Sequence, residues 1–581
     1  MVIVRQGGSR KGPFWAGIAL TLGMSLGLVA CAGAEQRPPE PSDTVIFDSP
    51  FGHYLAARHA ERERDLSNAA RFVAKVLERD PNNLEILHRA HLLMLGDGRF
   101  AEAVTLARRI DTLSPNNPPA NLTLAVAEAR NGNFAAAQQH LDGLPLTGAN
   151  RVLLPLIRAW LEVAQGRPAA ALNVLRALDE IDGFRPLYEY HAALINDLTG
   201  RPDAAEEHYQ RALAGEGGTS IRVIEAAGNF FERQGRPAVA RQIYTRYGAP
   251  FSDSVLLAAA MARLDANGPP PLPIVSDART GIAEALFNVA GALRQEGGGQ
   301  LALAYGRLAL ALVPDKPAGL LLVADVLDSA GRHAEANALF ARIPRQSPLW
   351  WSARLRIAEN LDALGDSEAA IRELEAMAAE RPERIDALVT LGQLLRMKQR
   401  FAEAARVYDE AIARLDTVEP RHWSLFYARG ISYERSKQWN KAEADFLRAL
   451  ELQPEQPDVL NYLAYSWVEQ GVNYDRALRM LERAVELRPN SGHIIDSLGW
   501  ALFRLGKFEE AVPLLERAAE LMPEDPVILD HLGDGYWRVG RLAEARFQWM
   551  RALRNKPEPE LRAEIERKLE RGLAAQSESG G

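Results

Sequence analysis

Ile494-Ile495-Asp496-Ser497-Leu498-Gly499-Trp500-Ala501-Leu502, a turn at Gly506-Lys507, then Glu510-Ala511 through Ala518 to Pro523: this stretch decides the fold. Its apolar residues recur at helical spacing on both sides of the turn, which predicts two helices folded back on one another. Gly499, Ala511 and Ala518 are small, so the two backbones can approach closely. Gly506 can take the positive φ that ends a helix. Pro523 prevents the second helix from running on.

The same signature extends outward in phase. A small residue equivalent to Ala511 recurs at Ala69, Ala103, Ala137, Ala171 and Ala205 in steps of 34, then at Ala240. After a gap it returns at Ala302, Ala336, Ala370, Ala404, Ala442, Ala477 and Ala545. Equivalents of Gly499 lie twelve residues earlier, among them Ala125, Ala159, Ala193, Gly228, Gly392, Gly430 and Gly533. Prolines keep the register at Pro81, Pro115, Pro314, Pro348, Pro382, Pro454, Pro489 and Pro557. Such periodicity is the mark of a solenoid, in which each unit buries its apolar face only against its neighbours. Runs with strand character are scarce.

In unit length and residue pattern the chain resembles the tetratricopeptide (TPR) repeat family over about 500 of its 581 residues. The resemblance implies an all-α superhelical solenoid of about fourteen helix-turn-helix units. Six units fall within 50–250, a divergent helix and the proline run Gly268-Pro269-Pro270-Pro271-Leu272-Pro273 within 251–282, and eight units within 283–559. A charged capping helix is expected over 560–576 and a disordered tail over 577–581.

The first 31 residues read as an address. Arg5, Arg10 and Lys11 precede the apolar run Phe14–Leu28, which is short for a bilayer span and suits a signal peptide. Leu28-Val29-Ala30-Cys31 resembles a bacterial lipobox, which implies lipidation of Cys31, the sole cysteine. Ala32 after it, where an aspartate would resemble an inner-membrane retention signal, points to an outer-membrane lipoprotein facing the periplasm. Residues 32–49, with Pro38, Pro39 and Pro41, are expected to form a flexible tether. Removing the three N-terminal cations takes the formal net charge from −8 to −11. That balance argues against nucleic acid as a partner.

No catalytic constellation is present. The eleven histidines form no His-Glu-x-x-His pair, and Gly499 to Lys507 lacks the spacing and hydroxyl of a phosphate loop. A single cysteine excludes an internal disulfide and a cysteine zinc cage. No enzyme activity, cofactor or metal is expected. The family resemblance implies that the first helix of each unit lines a concave, protein-binding groove. On that face of the last four units lie Tyr427, Asn461, Tyr465, Asp496, Trp500, Phe503, Asp530, Asp534 and Trp537. Aromatics beside carboxylates suit an extended, partly basic polypeptide. Some TPR domains clamp a C-terminal carboxylate; Asn461 fits that set, but its basic members are missing. The chain also resembles lipid-anchored TPR adaptors of periplasmic carboxy-terminal processing proteases, whose substrates include cell-wall hydrolases. TPR lipoproteins equally resemble accessory scaffolds of outer-membrane assembly, secretion or pilus, and polysaccharide-export machines.

Overall fold

The computed structural model describes residues 49–573 apart from 64, 216–218 and 252–253. The signal segment, Cys31, most of the tether and the C-terminal tail lie outside the described residues. Among the described residues the structure is helical, with turns between helices. Six hairpins come first: α1 (Pro50–Arg62) with α2 (Leu66–Arg79), α3 (Leu84–Gly96) with α4 (Phe100–Leu113), α5 (Pro118–Arg130) with α6 (Phe134–Leu141), α7 (Asn150–Ala164) with α8 (Pro168–Leu175), α9 (Arg185–Leu198) with α10 (Pro202–Leu213), and α11 (Ile221–Arg233) with α12 (Pro237–Gly248). A lone helix, α13 (Val255–Asp265), follows. Eight hairpins complete the solenoid: α14 (Ala278–Gln295) with α15 (Gly299–Leu312), α16 (Pro317–Ser329) with α17 (His333–Phe340), α18 (Trp350–Ala363) with α19 (Ser367–Glu380), α20 (Asp386–Met397) with α21 (Phe401–Ala413), α22 (Trp423–Arg435) with α23 (Trp439–Leu452), α24 (Pro457–Gln470) with α25 (Tyr474–Leu487), α26 (Gly492–Arg504) with α27 (Phe508–Leu521), and α28 (Pro526–Arg538) with α29 (Leu542–Arg554). The cap is α30 (Pro559–Arg571).

The predicted fold class is therefore the observed one, fourteen hairpins and a cap. Turn chemistry also follows the sequence: Gly506 and Gly540 take φ of 78° and 81° between the helices of their hairpins. Prolines stop helices and also start them. Pro118, Pro457 and Pro526 sit in the first turn, where no intrahelical N–H is needed.

Within a hairpin, the small residue of the first helix faces a large residue sixteen positions later on the second. A Cβ built at Gly430 would stand 2.6 Å from Phe446, one at Gly392 would stand 2.6 Å from Tyr408, and one at Gly533 would stand 2.4 Å from Trp549. The three aromatic partners are all fully buried. Glycine leaves the slot into which each ring fits.

The break between the two arms is where the solenoid turns on itself. Residues 268–277 are non-helical, and Asn229 donates its side-chain amide to the Leu272 carbonyl, 2.7 Å away. Beyond it, α14 and α15 do not simply extend the stack. They lie along the first helices of the N-terminal units and share one continuous core with them. Gly281 of α14 accommodates Trp160 of α7, whose ring atoms would be 2.2 Å from any added Cβ. Trp160 donates to His191 Nδ1 at 3.0 Å, and burial lowers the His191 pKa to about 4, so the ring stays neutral. Glu284 of α14 accepts from the Tyr190 hydroxyl at 2.9 Å and from Arg222 at 2.8 and 2.6 Å. Farther along, Arg332 of the α16–α17 turn reaches Asp97 at 3.6 Å. The inner wall of the N-terminal units is thus filled by the chain's own helices. This explains why α5 and α7 are buried nearly all round.

Gly430→Ala should destabilise α22–α23 by about 1–3 kcal/mol through overpacking against Phe446, against the helix preference of alanine. Gly291→Ala, where nothing lies within 4 Å of an added Cβ, should instead stabilise α14 by about 0.5–1 kcal/mol. Denaturant-dependent amide exchange in the two hairpins gives both signs. Burial pushes the Glu284 carboxyl up, but the charge and hydrogen bonds of Arg222 more than offset it, and the pKa falls from 4.5 to about 2. Its contribution is complete above pH 4.5 and disappears as pH falls toward 2. Glu284→Gln at neutral pH leaves Arg222 with Glu225 alone, 2.8 Å away, and should cost about 1.5–3 kcal/mol. The expected readout is lost amide protection in α14 and faster proteolysis at 266–277.

Candidate protein-binding groove

With the N-terminal wall occupied, the inner wall left open is that of the C-terminal units. Its first helices bury one face and leave the other half-exposed, as in α18, α20 and α22. Tyr427, Asn461, Tyr465, Trp500, Phe503 and Trp537 are all half-buried there. Tyr427 lies among Trp423, Phe446 and Tyr462, with ring centroids 6.0–6.1 Å away. Burial first, and Asp458 second, push its phenol up to about 12. Burial, then Glu469 and Asp496, raise Tyr465 as well. Both phenols therefore remain protonated donors. Between them in sequence, Asn461 has a covered amide oxygen with no hydrogen-bond partner. An unpaired buried acceptor costs free energy until something donates to it.

Nearer the C-terminus the wall is an aromatic ladder. Trp500 stacks on His531 at 3.9 Å and 11° and on Phe503 at 4.8 Å and 9°. Its indole N–H donates to Glu469 at 2.6 Å, which also pairs with Arg504 at 3.1 Å. Trp537 tilts against Trp549 at 5.4 Å.

The three aspartates lie elsewhere. Asp496, Asp530 and Asp534 are buried, each engaged by a partner within the chain. Asp496 accepts from His531 Nδ1 at 2.9 Å. Asp530 and Asp534 accept from Lys568 of the cap at 2.7 and 2.8 Å, and Asp534 also accepts from Trp549 Nε1 at 2.9 Å. They hold helices together. The residues that the sequence did not single out are His531 and Lys568. Lys568 was legible only as one charge among many on the capping helix.

Among the described residues, no group of three or more His, Cys, Asp or Glu could hold a metal ion, and no helix is long and apolar enough to cross a membrane.

Stacked helical hairpins with an open inner wall define the class: an α-solenoid built to hold polypeptide. The tetratricopeptide repeat is matched over residues 94–159 and 337–563, together half of the chain, and the chain belongs to that family. A TPR repeat-containing protein of Pseudomonas aeruginosa is 27% identical over 159 residues, 27% of this chain and 26% of that one. The match thus spans about a quarter of that relative's length. Similar solved structures include the Cut9–Hcn1 hetero-tetramer of the APC/C, at 14% identity, 91% and 99% coverage of this and that chain, and a TM-score of 0.38. Yeast Tom70 gives 14% identity, 90% and 95% coverage and a TM-score of 0.35.

The pairing pattern at the cap predicts a pH response. Burial opposes a charged His531, but Asp496 outweighs it and raises the pKa. Burial, then Asp534, push Asp530 up to about 6. A raised histidine stabilises fully below 6.5 and loses its contribution as pH rises through the folded value. A raised carboxyl likewise loses stability as pH climbs from 3.8 toward 6. Amide protection in α28 and α30, corrected for intrinsic exchange, should therefore fall between pH 5 and pH 8. Lys568→Met should remove protection of α30 at every pH.

Proposed function

We propose that this protein is a non-catalytic adaptor that holds polypeptide in the groove of its C-terminal units. The observation that carries the proposal is the half-open wall from Tyr427 to Trp537, on which Asn461, Tyr465, Trp500 and Phe503 are half-buried. An extended chain entering there packs on the aromatic ladder. Because the N-terminal wall is filled, α14 and α15 stiffen that half into a platform.

The lipobox-like sequence at Cys31 supports anchoring of the mature chain to a membrane, and Ala32 favours the outer membrane with the solenoid in the periplasm. Two or three acyl chains hold a protein more firmly than one. A scaffold so placed raises the effective concentration of two bound partners. A periplasmic carboxy-terminal processing protease and its substrates, such as cell-wall hydrolases, are the partners proposed. The resemblance in overall design motivates them. The second reading, an accessory scaffold of an outer-membrane assembly, secretion or export machine, uses the same groove for a different partner.

The test is direct binding of the purified chain to a processing protease from the same cell. Asn461→Ala, Tyr465→Ala and Trp500→Ala should each weaken it by about tenfold or more, measured well below the melting temperature of each variant. Gly291→Ala, in the occupied half with nothing within 4 Å of an added Cβ, should leave affinity unchanged. Failure of the wild-type chain to bind the protease, with retained binding to a barrel-assembly or secretin component, would select the second reading.

A further inference from the structure

The two ends of the solenoid are finished differently. At the C-terminus α30 buries Ile565 and turns Arg562, Glu566, Arg567 and Glu570 to solvent, a polar end such as a repeat array needs. At the N-terminus α1 has no such cover among the described residues. Phe51 is 72% exposed and Leu55 51% exposed. At 100° per residue, Phe51, Leu55, Arg58 and Arg62 fall within an arc of roughly 60° on the helix. All four are exposed, and neither arginine has an ion-pair partner among the described residues. The adjoining α2 also exposes Arg71, Lys75 and Arg79. Glu61 is paired with Arg89 at 2.8 Å, and Asp65 holds the first turn of α2, leaving Glu63, Glu78 and Asp80 as exposed acids. An apolar start followed by unpaired cations on one stripe stands out in a chain whose net charge is −8.

We propose that this stripe of α1 docks on a phospholipid surface carrying anionic headgroups. The inference rests on the proposed anchoring at Cys31. Seventeen residues lie between that cysteine and Ser49, so an extended chain places α1 at most roughly 60 Å from the anchor. α1 is the first described helix beyond the anchor. Phe51 and Leu55 enter the headgroup boundary, and Arg58 and Arg62 reach phosphates from the next turns. Docking fixes which way the solenoid stands on the membrane.

The experiment uses full-length protein acylated in its host, in which Cys31 offers no free thiol. Leu55→Cys supplies one thiol for an environment-sensitive dye, and Leu364→Cys, where the leucine is also 51% exposed, supplies the control. On phosphatidylethanolamine–phosphatidylglycerol vesicles the dye at 55 should shift to apolar emission while the dye at 364 does not. Arg58→Glu with Arg62→Glu should return it to the aqueous value. Aqueous emission at 55 on these vesicles overturns the proposal. Apolar emission at 55 without vesicles also overturns it, since protein then covers the stripe. The mass of the N-terminal peptide reports acylation separately. If Cys31 proves unmodified, the labelled chain carrying Cys31→Ser is floated with the same vesicles. Charge reversal should then lower partitioning by roughly thirtyfold, and absence of flotation overturns the docking surface itself.

Discussion

A glycine on one helix receiving a large side chain from sixteen residues later is the contact on which the structure depends. It sets the separation of the two helices in a hairpin at Gly392–Tyr408, Gly430–Phe446 and Gly533–Trp549. Gly228 with Tyr244 and Gly499 with Leu515 follow the same offset. The superhelix is the accumulation of these local separations, because each hairpin then meets only its neighbours. A chain of many equal small errors would lose its groove, so the slot must be filled tightly in every unit. Dense packing leaves little room for a different ring or an added methyl.

The N-terminal half shows what happens when a groove is used internally. Its first helices have apolar residues on their inner as well as their outer side, and α14 and α15 supply the surface that covers them. Charge enters only where it is matched. Arg222, Glu284 and Tyr190 satisfy one another in a place where an unpaired ion would be costly. This cluster gives the packing a register that apolar contact alone would leave looser. The protein is therefore two differently purposed stretches of one repeat: a self-filled platform and an open wall.

Hairpin count, turn positions and cap were legible because they follow local rules of spacing, proline and glycine. The insertion of α14 and α15 was not, since it joins residues far apart in sequence, such as Tyr190 with Glu284. A signal was present all the same. Val152-Leu153-Leu154-Pro155-Leu156-Ile157 is apolar on every side, which a half-exposed groove helix would not be. The candidate groove was legible as a face but not in its internal pairing. Whether Asp530 and Asp534 meet solvent depends on Lys568, on a helix whose charged pattern reads equally well as a solvated end. Nothing in the spacing of one lysine among Glu564, Glu566, Arg567 and Glu570 marks it as the one turned inward.

That pairing changes the chemistry a partner would meet. With Asp496, Asp530 and Asp534 neutralised inside the chain, the wall offers aromatic faces, two phenols and an amide in place of a row of free carboxylates. Arg488 pairs with Asp458 at 2.7 Å and Arg504 with Glu469, so further charges on this side also have partners. Recognition through backbone hydrogen bonds and ring stacking depends weakly on the side chains of the bound segment. Selectivity of that kind favours an extended conformation over a particular sequence. A binder serving several substrates would gain from it, whereas a charge-reading groove would restrict the adaptor to basic partners. The electrostatic work is instead spent on fixing the cap and the inter-helical register, which keeps the aromatic wall in one geometry for whichever chain enters it.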